Sequence, residues 1–330
     1  MDMITNNLVS PGQSSTRRLS QNMNGVLLID KPSGITSHDV LQALRRILGI
    51  KKLGHTGTLD PLASGLLVFC VGTTSKLARF LVSKDKSYEA EIRLGLTTET
   101  YDSEGLADRL EPDSIPQIGL NEIEKSLQLF IGNIQQRAPK YSAIKIKGSA
   151  LYKSARKGEP CYPPLRPVVI HSIEIRNYQP PFLRLAVVCG KGTYIRSLAH
   201  DIGAELGPGA YLSSLRRTRV GQLRLEDAHT LEKVQRLVDT GSLSTALMAA
   251  ESVIDLPALI VTENFAARVR HGVSPGRGDI TRAQGEFCAG DHVSLKNSAG
   301  HILAVGISEI SAEELAAWQG GGIFRYERVL

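Results

Sequence analysis

The 330-residue sequence predicts an α+β fold: a core domain with a mainly antiparallel central sheet and a cleft-forming loop, followed by a small β-rich C-terminal domain. Three observations carry this reading. Strand-like and helix-like segments intermingle without a regular βαβ repeat. Ser87 to Leu94 alternates, with Tyr88, Ala90, Ile92 and Leu94 on one face and Glu89, Glu91 and Arg93 on the other, as a half-buried strand does. Beyond Leu247 the texture changes, Leu256-Pro257 marks a boundary, and strand-like runs follow. The length also exceeds the roughly 100–200 residues of one ordinary domain. The boundaries expected are a disordered tail at residues 1–24, a core at 25–250 and a C-terminal domain at 251–330. No internal repeat is present.

The tail is rich in Ser, Asn and Gln and lacks the apolar stretch of a signal peptide. Structure is expected to start with the short apolar strand Gly25 to Asp30, stopped by the turn chemistry of Lys31-Pro32-Ser33-Gly34. A helix follows, capped by Thr36 or Ser37, with Val40, Leu41, Leu44, Ile47 and Leu48 on one face and Gly49 at its end. Next comes a loop rich in Gly and Thr, Gly54 to Pro61, running into an apolar strand from Gly65 to Val71. Glu104 to Gln117, with Pro112 and Pro116, reads as a loop before a helix from Asn121 to Phe130. A hairpin or loop and a helix over Ala150 to Arg156 are expected next. Val168 to Glu174 and Leu183 to Val188 are strand-like, and Thr193 to Leu206 is helical, with Ile195, Leu198, Ala199 and Ile202 at core spacing. In the C-terminal domain, Asp291 to Leu295 and Ile302 to Ile307 read as strands.

With Lys+Arg at 39, Asp+Glu at 33, a net charge of +6 and a pI near 9.1, the composition favours a polyanionic partner without naming one. Distribution is more informative. Gln135 to Lys157 carries Arg137, Lys140, Lys145, Lys147, Lys153, Arg156 and Lys157 with no acid. Ala210 to Arg224 carries Arg216, Arg217, Arg219 and Arg224, again without one. Each fits a solvated face; two in one chain point to phosphate contacts.

Cys70, Cys161, Cys189 and Cys288 lie far apart, in no metal-ligand spacing, and read as reduced thiols. No long apolar run calls for a membrane span. A cytoplasmic protein is expected. The sequence contains no Walker loop, dinucleotide glycine fingerprint or HExxH helix, so nucleotide hydrolysis, hydride transfer and zinc hydrolysis lack support.

Asp60 lies among small residues just before Pro61, where its carboxylate can project from a rigid turn into a cleft. On spacing alone it fits a turn or capping aspartate better, and His55 a locally bonded imidazole. Tyr194 and Arg196 stand at the opening of a helix. The arginine could pair with a carboxylate from elsewhere in the chain, at a desolvation cost that demands good geometry. Packing for Tyr194 and a surface charge for Arg196 are the simpler alternatives.

GVLLIDKPSG (Gly25 to Gly34), LGHTGTLDPLASGLL (Leu53 to Leu67), KSYEAE (Lys86 to Glu91) and GKGTYIRSL (Gly190 to Leu198) resemble, in order, the TruB-type tRNA pseudouridine synthases. The resemblance covers the chain from about Gly25 onward and leaves the tail outside. It implies the pseudouridine synthase α+β core with a PUA-like C-terminal RNA-binding domain. The implied activity is isomerisation of uridine 55 in the T-stem loop of tRNA to pseudouridine, with no cofactor or metal. The implied catalytic carboxylate is Asp60. Tyr88 stacks on the flipped base and is also a plausible base toward the uracil carbon, and Arg196 partners Asp60, favours its ionised form and orients it. Tyr194 and Leu215 line the pocket, His55 stands beside the loop nucleotides, and Lys31 with Pro32 supports the catalytic loop. The basic run at 135–157, with Lys145 and Lys147, matches the family's RNA-gripping thumb.

Two alternatives share this scaffold: a guide-RNA-dependent synthase working with partner proteins, and an RNA-binding or RNA-folding protein without catalysis. The basic thumb and short C-terminal region favour a stand-alone enzyme, read as a monomer with no obligatory protein partner. Asp60, Tyr88 and Arg196 are all present, so the site shows no decay.

Overall fold

The computed structural model describes residues 23–106, 117–142, 144–146, 149–151, 157 and 163–330. The first elements are β1 (Gly25–Lys31), α1 (Ser37–Leu48), β2 (Leu53–His55), β3 (Ser64–Val71), α2 (Ala78–Val82) and β4 (Lys86–Leu94). Then come α3 (Leu120–Gln128), β5 (Gly132–Arg137), the short pair β6 (Lys145–Ile146) and β7 (Ser149–Ala150), β8 (Leu165–Gln179), β9 (Phe182–Cys189) and α4 (Ile195–Leu206). The core closes with β10 (Ala210–Val220), β11 (Leu223–Arg224), α5 (Leu231–Asp239) and β12 (Leu247–Met248). The C-terminal part holds β13 (Ala258–Val261), β14 (Ile280–Gln284), β15 (His292–Lys296), β16 (Ile302–Ser308) and β17 (Phe324–Val329).

The α+β expectation holds. A ten-stranded sheet runs β12-β1-β3-β10-β4-β9-β8-β5, with β11 on β10 and β2 on β3. It is antiparallel except where β10 meets β3 in parallel. A separate five-stranded sheet runs β14-β13-β15-β16-β17.

The strands β1 and β3 read as unbroken apolar runs because both faces of their sheet are covered. Leu27, Ile29, Leu67 and Phe69 enter the core beneath α1 and α4, while Val26, Leu28, Leu66 and Val68 enter a second core on the opposite face. Ile302 and Val305 of β16 join that second core, so the C-terminal sheet packs behind the central one. Polar contacts reinforce the docking: Lys76 donates to the Val329 carbonyl at 2.6 Å, Arg79 pairs with Glu327, and the Phe80 and His292 rings meet edge to face.

Local chemistry explains α1. Thr36 and Asp39 form a reciprocal capping box, Gly49 closes the helix in the left-handed conformation, and Val40, Leu41, Leu44 and Leu48 are buried.

Several expectations need correction. The Gly54–Pro61 loop opens as the short strand β2, drawn onto β3 through His55 and Phe69. Arg93 is buried on a strand expected to expose it. The helix expected at 121–130 runs over Leu120–Gln128, and the one expected from Thr193 begins at Ile195. Ala150, expected to open a helix, belongs to β7; residues 152–156 of that helix lie outside the described residues, as do 1–22 of the tail and 107–116 of the expected loop. The largest revision concerns Ala210 to Val220. It forms β10, a central strand between β3 and β4, and Arg217 on it is buried. Its arginines disguise it, because a strand with buried cations carries no apolar alternation.

Gly65 makes the parallel β3–β10 contact possible. Its φ is +98° and a Cβ there would stand 2.3 Å from the Arg217 carbonyl oxygen. Gly65→Ala should therefore lower stability by at least about 2 kcal/mol, since left-handed strain of roughly 1–3 kcal/mol adds to a forced separation of the strands. Denaturant unfolding measures this, and a loss below about 0.5 kcal/mol would show that the strands tolerate the wider spacing.

Candidate active site

The loop between β2 and β3 is held by its backbone. Thr56 N–H donates to the Val68 carbonyl at 2.9 Å, and Ser37 Oγ both donates to the Leu59 carbonyl and accepts from its N–H, each at 2.8 Å. Gly34 N–H reaches the Pro61 carbonyl at 2.8 Å, and Ser33 Oγ donates to the Leu62 carbonyl at 2.7 Å. Leu59 is buried in the core below. Lys31 is wholly buried, and its Nζ gathers the carbonyls of Pro32, Ile35 and Pro61 at 2.9, 2.6 and 3.3 Å. Burial pushes its ammonium down to about 8, opposed by the charges of Asp60, Asp39 and Glu104. Asp60 is thus presented by a turn secured from both flanks.

Arg196, in the first turn of α4, is 5% exposed. Its Nε stands 2.9 Å from Asp60 Oδ2, as an ion pair. Its Nη1 donates to Asp102 Oδ2 at 3.1 Å and to the Thr100 carbonyl at 3.1 Å, and its Nη2 to the Tyr141 carbonyl at 2.9 Å. Asp102 is itself 1% exposed and accepts from Thr100 Oγ1 at 2.5 Å and from Glu104 N–H at 3.1 Å. The preceding residue, Tyr101, takes a positive φ of 64°, with its ring stacked on His200 of α4 at 3.9 Å. A left-handed non-glycine conformation is costly, and it places the next carboxylate under the guanidinium.

Burial raises the Asp60 carboxyl above its ordinary 3.8; Arg196 pulls it back and Asp102 raises it further. The side chain is still 37% exposed, because its oxygens face an opening. That opening is a pocket of about 310 Å³, within the roughly 300–1,000 Å³ range of small-ligand sites. Its walls are Thr56 to Asp60, Tyr88, Ser142, Gly190 to Arg196, Leu215 and Arg217, with Val82 and Lys86. A more open groove of about 720 Å³ beside Gln42, Arg45, Arg46 and Lys51 contains no carboxylate and none of the expected site residues.

The structure therefore brings Asp60, Tyr88, Tyr194, Arg196 and Leu215 into one pocket. Lys31 and Pro32 lie behind the loop and do not line it. His55 stands just outside, its ring edge-on to Phe69 at 6.1 Å. Burial lowers its pKa, helped by the charges of Arg217 and His38, so the imidazole is neutral near pH 7. Lys145 is in β6, and Lys147 lies outside the described residues. No group of His, Cys, Asp and Glu among the described residues could hold a metal ion.

Three buried polar residues join this picture that the sequence did not single out. Asp102 is the second carboxylate on Arg196. Arg217, read as part of a basic face, donates from Nε to the Leu66 carbonyl at 2.7 Å and from Nη2 to the Gly57 carbonyl at 3.1 Å, tying the loop to β10 beside Tyr88. Gln136 bonds the backbone of Tyr194. The one available signal was an aspartate amid Thr, Tyr and Gly at 97–105, and it does not distinguish a ligand of arginine from a turn residue.

The site is a cleft across a mainly antiparallel sheet, with an aspartate loop facing a helix-borne arginine and a tyrosine on β4, and the family models give its class as a pseudouridine synthase. Three family models match in succession: "TruB family pseudouridylate synthase (N terminal domain)" over residues 45–195, "tRNA pseudouridylate synthase B C-terminal domain" over 196–255, and "PUA domain" over 257–330. The tRNA pseudouridine synthase B of Xanthomonas campestris pv. campestris (strain 8004) is 45% identical over 252 residues, 76% of this chain and 81% of that one. The protein of the same name from Syntrophus aciditrophicus (strain SB) is 39% identical over 297 residues, 89% of this chain and 94% of that one. Among solved structures, an H/ACA ribonucleoprotein bound to a substrate RNA containing 2'-deoxyuridine aligns with a TM-score of 0.73 and 26% identity, covering 92% of this chain and 84% of that one. The chain belongs to the TruB family of pseudouridine synthases and is an isomerase.

Asp102→Asn leaves the buried guanidinium with Asp60 as its remaining carboxylate. The variant should lose roughly 3 kcal/mol of stability, the low end for breaking a buried ion pair, by denaturant unfolding. A loss under about 1 kcal/mol would mean that Asp102 does not carry a compensating charge.

Proposed function

We propose that this isomerase converts uridine 55 in the T-stem loop of tRNA to pseudouridine, acting alone, with Asp60 as its catalytic carboxylate. The observation that carries the reading is the Asp60 carboxylate, 2.9 Å from Arg196, facing a pocket that Tyr88 also lines. The relatives named tRNA pseudouridine synthase B supply the substrate class.

The reaction breaks the bond between ribose C1' and uracil N1 and forms one between C1' and C5. The C5 proton leaves and N1 gains one, so no oxidant, hydrolytic water or cofactor is called for. The target atoms are enclosed in the folded RNA loop, so the nucleotide must swing out, at a cost of roughly a few kcal/mol. The pocket offers it the Tyr88 ring and the Leu215 side chain. Asp60 acts in its ionised form, either by bonding to the nucleoside or by removing a proton from the sugar as the C–N bond breaks.

Arg196 has two functions here. It opposes the upward push that burial exerts on Asp60, and it holds one carboxylate oxygen in place. Burial pushes the Tyr88 phenol above its ordinary 10, against the pull of Arg217. A neutral phenol offers a stacking face at once, whereas accepting the C5 proton would require it to ionise first, and this favours the stacking role in the free enzyme.

RNA recognition falls to the 135–157 thumb with Lys145 and Lys147, to His55 beside the loop nucleotides, and to the C-terminal sheet. Tyr194 completes the pocket wall, and Lys31 with the Pro32 carbonyl supports the loop. The reading takes the chain as a cytoplasmic monomer that needs no protein partner; no helix among the described residues is long and apolar enough to cross a membrane.

Asp60→Asn should abolish pseudouridine formation in an unmodified tRNA transcript, with no guide RNA added, while leaving tRNA binding within about tenfold, or roughly 1.4 kcal/mol. Mapping pseudouridine in the treated tRNA reads the outcome, and product from the variant removes Asp60 from the mechanism. Charge reversal at Lys145 and Lys147 together should weaken tRNA binding and shallow the dependence of log affinity on log salt by about one for each phosphate no longer neutralised. An unchanged slope returns that run to a solvated face.

A further inference from the structure

Gln136 is the penultimate residue of β5, at the root of the thumb, and is 2% exposed. Its side-chain amide closes a two-point bridge on the backbone of Tyr194. Oε1 accepts from the Tyr194 N–H at 2.8 Å, and Nε2 donates to the Tyr194 carbonyl at 3.0 Å. Tyr194 is the N-cap residue of α4 and receives no side-chain capping bond of the usual kind. Arg196 follows two residues later. Two further bonds join the same pieces: Ser197 Oγ donates to the Arg137 carbonyl at 2.7 Å, and Arg196 Nη2 to the Tyr141 carbonyl at 2.9 Å. The thumb root and the entrance of α4 are thereby laced together through Tyr194, Arg196 and Ser197.

We infer that Gln136 is a positioning residue for Arg196: its amide sets where the helix begins, and so sets the distance of the guanidinium from Asp60 and ties that distance to the placement of the RNA-gripping thumb. The inference rests on the reading of Asp60 as the catalytic carboxylate.

The physical reason is directional. Asp102 and two carbonyls fix the far side of the guanidinium, whereas its Nε edge meets Asp60 through one contact of 2.9 Å. The Asp60–Arg196 distance is therefore set by the backbone on which Arg196 rides. An alanine at 136 leaves the Tyr194 N–H without its partner and strips the amide donor from the Tyr194 carbonyl, which keeps its helical bond from Leu198 N–H at 3.1 Å, and the helix entrance must shift to recover what is lost. A displacement of about 1 Å at a reacting group can cost 10²-fold in rate.

The test separates positioning from mere support of the fold. Single-turnover pseudouridine formation is followed against pH in the full chain and in Gln136→Ala, with the tRNA dissociation constant and the unfolding midpoint measured alongside. The charges that face Asp60 are Arg196, Asp102 and Lys31, with Glu104, Tyr88 and Tyr194 within electrostatic reach. Of these, Arg196 is the one that Gln136 positions. Activity requires ionised Asp60 and Arg196 favours that form, so a displaced Arg196 moves the acid limb of the profile to higher pH. The expected result for Gln136→Ala is a rate lowered by about tenfold to a hundredfold with the limb moved upward and the dissociation constant within about threefold. A slower rate with the limb unmoved, or an unchanged rate, overturns the inference. Gln136→Glu keeps the acceptor and the volume but loses the donor; it carries the test if the alanine variant does not fold, with a smaller upward movement expected and an unmoved limb again overturning it. Asp60→Asn in the same assay reports separately on the underlying reading, because product from that variant would defeat the role of Asp60 whatever Gln136 does.

Discussion

A single buried guanidinium organises the Asp60 pocket of this molecule. Arg196 cannot be buried uncompensated, because a desolvated cation costs several kcal/mol even after relaxation. The structure provides Asp102 wholly inside the protein and Asp60 at the edge of the pocket, with the carbonyls of Thr100 and Tyr141 taking further N–H groups. The division of labour follows from exposure. Asp102 is enclosed and offers a fixed anchor, whereas Asp60 retains a face toward the cleft and can meet a substrate. A lone aspartate in the same pocket would face the upward push of burial with no adjacent cation. A single Asp–Arg pair would leave the far side of the arginine free to turn.

The same constraint explains why the loop is secured through its backbone. A carboxylate that must sit a hydrogen-bond length from a fixed guanidinium cannot ride on a mobile turn, since useful catalytic geometry is held to about 0.5 Å. Ser37, Lys31 and Arg217 each direct a buried polar group at loop carbonyls, from the helix before it, the strand beneath it and the strand beside it. None of the three needs to touch the substrate to matter. The outcome is a loop of Gly, Thr and Pro, permissive by composition, that is rigid by context.

Legibility in the sequence followed from how local the causes were. The capped helix after Gly34 and the alternating strand of Tyr88 depend on neighbouring residues, and pattern alone places them. The resemblance to the TruB family pointed to the pocket residues Asp60, Tyr88, Tyr194, Arg196 and Leu215, whereas spacing by itself favoured turns, packing and surface charge. Asp102, Gln136 and Arg217 escaped because their significance is created by the fold. An aspartate after a tyrosine with φ of 64°, a glutamine in a basic stretch and an arginine in an acid-free one become structural ligands only when the chain returns from far away. Strand β10 was hidden for the same reason: Arg216 and Arg217 find partners on β1 and β3, which no window of one segment contains.

The C-terminal sheet enters this account through the two faces of β1 and β3. Alternate residues of β3 point into the core below the site and into the core shared with Ile302 and Val305, so a strand whose N-terminal end carries the Asp60 loop is gripped from both sides. Glu251, just past the last core strand, accepts from the Ile302 N–H at 2.7 Å and seals the seam. If the C-terminal sheet served only to extend the RNA-contacting surface, a flexible tether would suffice. A shared apolar core instead makes its placement part of the stability of the sheet that carries the Asp60 loop. The Ile302 and Val305 side chains and the Glu251 bond thus fix its placement to the same sheet that bears the cleft.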